Sequence, residues 1–384
     1  MNIAKRNPKK FSTREGLGKD EEIRICIIGC GAISELYYGP ALAELSLTGA
    51  IEVSALFDPD INRLTKLATL FPDAAKISDF DHILEGKPHA AIVASPPRFH
   101  ASQTIALLAA GIAVLCEKPM AATVIEANAM IATAENSDLP LSIGLFRRFF
   151  PVSQMIRDVV RNQSLGRVKS FEISEGGPFQ WPAQSASFFQ KSNSQGGVLA
   201  DLGVHVLDLL IWWFGMPTEI AYEDDAMGGL EANCLIKLRF ADDVHGTVRL
   251  SRDTQLQNRT FIECERGWMR CNAAASDKLE FGFPGSKYSI GGNLEINGLR
   301  GPRSVHSTPA ATYHQSFTTQ LVQFLAAVRG EETVFIPASE GILSLQVIEY
   351  CYTNRKQMKM SWLSDCETVM AVSCAKSPLD GSAL

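Results

Sequence analysis

Ile23–Ile28, with the sequence IRICII, is an almost continuous apolar run, and Gly29-Cys30-Gly31-Ala32-Ile33-Ser34 follows it directly. Such a run is typical of a strand that is buried on both faces of a parallel sheet. Gly29 allows a tight turn and Gly31 lets the backbone approach a pyrophosphate, while the following helix directs free amide groups towards phosphate charge. The stretch therefore predicts a dinucleotide-binding turn, although Ser34 stands where a third glycine is usual.

Strand-like and helix-like segments alternate along the chain after this turn. The further apolar runs are Val53–Phe57, Ala90–Ala94, Ala113–Cys116 and Leu141–Leu145. The amphipathic segments between the runs are Glu35–Leu47, Ile61–Phe71, Phe99–Ala110 and Val124–Ala134. This alternation predicts an α/β Rossmann domain, a doubly wound parallel sheet that is covered by helices.

The pattern changes after Arg147–Pro151, where short strands are joined by tight polar turns. These predicted strands are Val168–Ser174, Cys234–Phe240, Gly246–Ser251, Thr260–Glu265 and Trp268–Cys271. Short connections indicate antiparallel pairing, so a second domain of α+β type is expected, with helices at Gly197–Phe214 and near Tyr313–Arg329 and Ser339–Tyr350. We expect a flexible leader at 1–20, the Rossmann domain at 21–148, the α+β domain at 149–362 and a tail at 363–384.

Composition excludes several classes of protein. The net charge of −6 supplies no general attraction to nucleic acid or anionic membranes. No apolar run reaches the roughly 18 residues of a membrane-spanning helix, and the basic N-terminus lacks the apolar core of a secretory signal. The nine cysteines contain no Cys-x-x-Cys pair. We therefore expect a soluble, cytoplasmic protein without a zinc site.

The choice of dinucleotide depends on Asp58, which ends the second predicted strand. A carboxylate at this position accepts hydrogen bonds from the adenosine ribose and repels a 2′-phosphate, which favours NAD over NADP. The alternative is that Asp58 only shapes the turn before Ile61, since Asp-Pro often initiates turns. Arg63, one helical turn further on, is the residue that could instead favour NADP.

Chemistry-bearing residues occur at two further places. Lys118 follows the fifth predicted strand, at the sheet edge where such folds bind ligands. Asp201 and His205 are four residues apart on one face of the predicted helix, and Asp208 adjoins that face. Burying such groups is costly without partners, and a ligand would provide them. The alternatives are a surface lysine, a carboxylate at a helix N-terminus and a satisfied helix histidine. No further ligands accompany Asp201, His205 and Asp208, so no metal site is predicted.

These motifs resemble those of the Gfo/Idh/MocA family, the glucose–fructose oxidoreductase, inositol dehydrogenase and rhizopine-catabolism group of NAD(P)-dependent oxidoreductases. The resemblance covers nearly all of residues 22–360 and includes the glycine turn, Ser95–His100, Glu117-Lys118-Pro119, Arg147–Pro151 and the helix that follows Gly196-Gly197. It implies a large open, mainly antiparallel sheet in the second domain, which binds substrate and forms homodimers or homotetramers.

The resemblance also assigns residues to roles. It implies that Lys118, Asp201 and His205 are catalytic. The implied cofactor contacts are Gly29, Gly31, Ala32, Ile33, Ser34, Asp58, Arg63, Ser95, Pro96, His100, Glu117, Lys118 and Arg147. Arg147 resembles an arginine near the nicotinamide and the substrate.

The predicted reaction is hydride transfer between NAD and a secondary alcohol or ketone of a sugar, cyclic polyol or sugar-nucleotide. Histidine side chains in general titrate near neutrality, so His205 suits the role of acid/base, while Lys118 can polarise the reacting oxygen. Asp201 would hold the substrate hydroxyl or orient this pair. Glu175–Trp181 is either a substrate-contacting loop or an ordinary surface loop. The alternatives are an NAD-dependent glycosidase on the same scaffold and a non-catalytic dinucleotide sensor.

Overall fold

The computed structural model describes residues 21–182, 189–190, 194–273, 277–294 and 309–359, with the side chains of 309–312 excepted. The predicted leader and tail lie outside the described residues. The described residues form two compact units, 21–154 with 182 and 309–346 in the first, and the remainder in the second. The predicted domain boundaries stay a prediction, because a compact unit is not by itself an independently folding domain.

The first unit contains a six-stranded parallel sheet, which confirms the predicted Rossmann fold. Its strands are β1 (Ile23–Ile28), β2 (Ile51–Phe57), β3 (Ala75–Ile77), β4 (Ala90–Val93), β5 (Ala113–Cys116) and β6 (Leu141–Ile143). Their order in the sheet is β3-β2-β1-β4-β5-β6. β1 lies between β2 and β4, so the strand order reverses beside it, which is where dinucleotide-binding sheets hold their ligand.

Helices connect these strands, and one differs from its prediction. They are α1 (Gly39–Ser46), α2 (Ile61–Leu67), α3 (Asp81–Gly86), α4 (His100–Ala109), α5 (Val124–Ser137) and α6 (Pro151–Arg161). The predicted helix Glu35–Leu47 begins with a π-helical segment, Ser34–Tyr38, before α1. This segment packs on the later helix α8 (Pro309–Val328), where the Phe317 ring lies 4.8 Å from that of Tyr37 and 5.1 Å from that of Tyr38.

The second unit contains a nine-stranded sheet, and the predicted mainly antiparallel α+β architecture is confirmed. Its strands are β7 (Val168–Gly176), β8 (Glu219–Asp224), β9 (Asn233–Arg239), β10 (His245–Ser251), β11 (Arg259–Cys264), β12 (Gly267–Asn272), β13 (Lys278–Gly282), β14 (Ser289–Asn293) and β15 (Lys356–Gln357). Their order is β14-β13-β12-β11-β7-β10-β9-β8-β15. The pairs β7–β10 and β8–β15 are parallel.

The predicted helix Gly197–Phe214 is also divided. It starts with a π-helical segment, Leu199–Gly203, and continues as α7 (Val204–Phe214). The last helix among the described residues, α9, spans Ala338–Thr353. α7 is apolar on nearly every side, so its polar residues stand out against their surroundings.

Candidate active site

The glycine turn after β1 is tightly built on one side and open on the other. Gly29 has φ of +95°, and a Cβ there would lie 2.6 Å from the backbone of Ala94 and Ser95. No side chain fits at this position. A Cβ on Gly31 would meet nothing within 4 Å, so the turn is open there to a ligand. These features fit the approach of a pyrophosphate to the backbone.

Ser34 stabilises the glycine turn from its buried side. The side chain is fully buried, and its hydroxyl donates a 2.6 Å hydrogen bond to the carbonyl oxygen of Gly29. The serine thus supplies a direct link between the helix and the turn in the place of the third glycine. Ala32 is buried and Ile33 is half-buried between them. The turn is therefore held in shape by the chain itself.

Asp58 holds two backbone segments together. It is 3% exposed, its Oδ2 accepts from the amide of Cys30 at 2.9 Å, and its Oδ1 accepts from the amide of Asp60 at 2.9 Å. Arg63 lies beside it, with Nη1 3.9 Å from Oδ1 and Nε 3.5 Å from Asp60 Oδ2. The turn-shaping alternative is thus present in the structure. A carboxylate has about four acceptor positions, so the ribose role stays a prediction.

His100 connects two loops at the carboxyl ends of the strands. It is 1% exposed, with Nε2 2.7 Å from the carbonyl oxygen of Ser95 and Nδ1 2.8 Å from that of Pro119. Burial lowers its pKa, against the effect of the two backbone contacts. His100 therefore links the Ser95 and Pro119 loops, and its predicted cofactor contact stays a prediction. Ser95 and Pro96 lie on one of the loops that it joins.

Glu117, directly before Lys118, is a second buried side chain that links separate segments by hydrogen bonds. Its Oε1 accepts from the Tyr38 hydroxyl at 2.6 Å and its Oε2 accepts from the Lys118 amide at 3.0 Å. Gln320 donates to the Tyr38 oxygen at 3.1 Å. Burial, followed by the charge of Glu117, raises the pKa of Tyr38 well above its ordinary value. This network, which sequence reasoning missed, links the π-helical segment after the glycine turn to the backbone of Lys118, which is itself half-buried.

Arg147 lies in a short helical turn, Phe146–Phe149, after β6, and it is 6% exposed. Its neighbour Arg148 is 1% exposed and forms an ion pair with Glu340. Arg148 is therefore committed to a structural contact. This assigns no role to Arg147, which stays a predicted site residue.

The second unit carries Asp201 and the two other polar residues of the helix. His205 and Asp208 are 4% and 2% exposed, whereas the Asp201 side chain is 31% exposed. Asp201 forms an ion pair with Arg252, directly after β10. The Arg252 guanidinium also lies 5.3 Å from the ring centroid of Phe179, in the predicted substrate loop. Arg252 was not predicted. No local sequence pattern distinguishes it, because its partners Asp201 and Phe179 are distant in the chain.

The described part of the chain contains neither a metal-ligand cluster nor a membrane-spanning helix. No group of three His, Cys, Asp or Glu side chains is placed there to hold a metal ion. Within the same residues, no helix has both the length and the apolar character that crossing a membrane requires.

The buried cysteines are poor nucleophiles. Burial raises the pKa of Cys30, in the middle of the glycine turn, to about 12. Its thiol is therefore protonated at neutral pH and acts as a small apolar side chain.

Comparison with known proteins identifies curated relatives of this chain. The chain is 30% identical to D-glucoside 3-dehydrogenase of Escherichia coli over 51% of its length and 55% of that protein. It is 27% identical to scyllo-inositol 2-dehydrogenase (NADP(+)) IolW of Bacillus subtilis, over 54% of the chain and 56% of that protein. The chain thus spans little more than half the length of these curated relatives.

A solved structure shares the fold over most of the chain. It is a WlbA dehydrogenase from Chromobacterium violaceum in complex with NADH and UDP-GlcNAcA, with a TM-score of 0.72 and 18% identity, covering 88% of this chain and 94% of that one. Residues 23–145 match the family model described as "Oxidoreductase family, NAD-binding Rossmann fold", and residues 153–270 match the C-terminal domain of the same family. The two matches together cover more than half of the chain, which belongs to the Gfo/Idh/MocA oxidoreductase family.

Proposed function

We propose that this chain is an NAD-dependent oxidoreductase that acts on a secondary alcohol or ketone of a sugar, cyclic polyol or sugar-nucleotide. The observation that carries the proposal is the helix of the second unit, on which a half-exposed, ion-paired Asp201 precedes the buried His205 by one turn. Its relatives support the substrate class, since they are named for glucosides and inositols. The open backbone at Gly31 supports a bound dinucleotide.

The chain's own residues divide the work. The amides of the glycine turn would hold the pyrophosphate and Asp58 the adenosine ribose, while the bound nicotinamide supplies a hydride acceptor. His205 takes the proton from the reacting hydroxyl, and the carbon that bears this hydroxyl loses the hydride. Lys118 stabilises the negative charge that grows on the oxygen. Asp201 accepts a hydrogen bond from a substrate hydroxyl, with Arg252 holding the carboxylate in place.

The preference for NAD over NADP rests on the charges around the turn. A 2′-phosphate would approach the carboxylates of Asp58 and Asp60, which repel it. Arg63 is the opposing influence, but its guanidinium lies beside both of these carboxylates. One relative is named for NADP(+), so the family model alone does not decide the preference.

The test is a binding and turnover series on the purified full chain. NAD and NADP binding are measured by calorimetry at fixed salt, and glucosides, inositols and UDP-linked sugars are screened by the absorbance of reduced nicotinamide. Substrate-dependent NADH formation supports the proposal. Release of an alcohol or a second sugar without net NADH indicates the glycosidase alternative. Cofactor binding without turnover of any compound indicates the sensor.

We also propose a cytoplasmic homodimer or homotetramer that forms through the nine-stranded sheet. The face that bears Phe261 also bears the cross-strand pairs Arg259–Glu172 and Arg270–Glu280, beside the aromatic contact of Phe261 with Trp268. An interface here would be aromatic and charged. Sedimentation as a monomer at micromolar concentration would count against it.

A further inference from the structure

Three successive backbone amides at the start of the helix that carries Asp201 donate hydrogen bonds to one residue distant in sequence, Glu231. The amides of Gly197 and Leu199 each donate to Glu231 Oε1 at 3.0 Å. The amide of Val198 donates to the backbone oxygen of Glu231, also at 3.0 Å. The first amides of a helix have no partner within the helix and need an acceptor when they are buried. Glu231 supplies that acceptor from outside the helix.

Glu231 is itself held on its other side. It is 2% exposed, the Tyr352 hydroxyl donates to Oε1 at 2.8 Å, and Arg355 Nη2 lies 3.9 Å from Oε2. Arg355 also pairs with the buried Asp224 at 2.7 Å. Burial raises the pKa of Glu231, and the hydrogen bonds from Tyr352 and Leu199 act against this effect. The Glu231 carboxylate is therefore held in a fixed position by residues outside the helix.

The two glycines before the helix fit this arrangement. A Cβ on Gly196 would lie 2.0 Å from the Tyr352 hydroxyl oxygen, and one on Gly197 would lie 1.9 Å from the backbone oxygen of Glu231. Any side chain at either position would push the helix start away from Glu231 and Tyr352. The Gly196-Gly197 pair is thus explained by the close approach of these two partners.

Gly197 connects Glu231 to Asp201 by two hydrogen bonds. The Asp201 amide donates to the carbonyl oxygen of Gly197 at 3.2 Å, and the Gly197 amide is bound by Glu231. We propose that Glu231 is a positioning residue for the site, which sets where Asp201, and after it His205, stand on the helix. This rests on the proposed function, in which these two side chains handle the substrate hydroxyl.

We expect kcat to depend on the length of the Glu231 side chain rather than on its charge. Glu231→Gln keeps an oxygen at the place of Oε1 and removes the charge. Glu231→Asp keeps the charge but withdraws the acceptor by one methylene from the amides. We expect Glu231→Gln to retain kcat within about threefold and Glu231→Asp to lose about tenfold or more, since small displacements of reacting groups are costly. The dissociation constant of NAD should be unchanged in both.

Hydrogen exchange gives a readout that needs no activity. Glu231→Asp should raise the exchange rate of the amides of Gly197 and Leu199, which donate to the side chain, while Glu231→Gln should leave it near that of the unmodified protein. The matched control is Asp224→Asn, which alters a buried acid on the same Arg355 without touching the helix amides. It is expected to lower stability and leave both kcat and the exchange of 197–199 unchanged.

The outcomes separate the proposals. Equal kcat losses in Glu231→Asp and Asp224→Asn, or a larger loss in Glu231→Gln than in Glu231→Asp, would overturn the positioning role. Unchanged exchange at Gly197 and Leu199 in Glu231→Asp would overturn it as well. If the unmodified protein oxidises no compound of the panel, the proposed function fails, while the exchange comparison still decides whether Glu231 holds the helix.

Discussion

The carboxylate of Asp201 is paired with the guanidinium of Arg252, a residue that directly follows β10 of the nine-stranded sheet and is distant in sequence. The same guanidinium lies over the ring of Phe179. Asp201 is therefore held in one orientation by a planar cation that itself packs against an aromatic ring. This relationship gives the candidate site of the second unit a residue that no local pattern indicated.

Arg252→Met is expected to lower kcat/KM for a compound that the screen identifies as substrate by about tenfold or more, because Asp201 loses the partner that orients it. Arg252→Lys should recover only part of the activity, since lysine lacks the planar two-pronged geometry. Binding of NAD, measured by calorimetry, should not change. Arg249→Met, at an exposed position on β10, the strand that precedes Arg252, is the control. Full activity in Arg252→Met would show that the pair is only structural.

His205→Asn is expected to lower kcat by at least about a hundredfold, the usual range for loss of a general acid–base group. Lys118→Ala should also slow turnover, because a cation near the reacting oxygen stabilises charge in the transition state. The two effects should add incompletely, since both residues act on one oxygen and one proton. The measurement is kcat against pH at saturating cofactor. A His205→Asn enzyme with an unchanged profile would mean that another group moves the proton.

Gly29 and Gly31 should respond differently to the same substitution. Gly29→Ala places a methyl group 2.6 Å from the backbone of Ala94 at φ of +95°, so we expect destabilisation by more than about 1 kcal/mol. Gly31→Ala meets no atom within 4 Å and should leave the free energy of unfolding within about 0.5 kcal/mol. It should nevertheless weaken dinucleotide binding, because the methyl group occupies the phosphate approach. Normal NAD affinity in Gly31→Ala would place the pyrophosphate elsewhere.

Asp58→Ala is expected to narrow the difference between NAD and NADP affinity by removing both a ribose acceptor and a charge that repels the 2′-phosphate. It should also lower the unfolding free energy by about 1–3 kcal/mol, because the buried amide of Cys30 loses its acceptor. Asp60→Ala, at a more exposed carboxylate, controls for the loss of negative charge beside Arg63. Tighter binding of NADP than NAD by the unmodified protein would contradict the assignment.

His100 should make stability depend on pH. Burial is the main reason that its pKa lies below the ordinary 6.5, so the unfolded chain binds the proton more readily. The unfolding free energy contributed by His100 is then complete above about pH 6.5 and falls as the pH drops through its folded value. Denaturant titrations of the unmodified protein and His100→Gln should give stabilities that converge at acid pH. A widening gap would show that an imidazolium donates to both Ser95 and Pro119.

Much of the first unit was predictable because its signals are local. β1 follows from a run of apolar residues. The turn follows from the backbone conformation at position 29, which only glycine adopts without strain. β3 was missed because it is a short edge strand, Ala75–Ile77, with exposed residues that carry no apolar pattern. β14, Ser289–Asn293, is exposed along its whole length and was missed for the same reason.

The sequence by itself determined the Rossmann strands, the glycine turn and the spacing that puts Asp201 and His205 on one helix face, since these depend on residues close together in the chain. Only the tertiary structure decided the parallel pairing of β7 with β10, the pairing of Arg252 with Asp201 and the hold of Glu231 on the helix start. These contacts join distant segments, and a charged residue's own neighbours in the chain do not specify which buried amide or opposite charge it will meet once the sheet has formed.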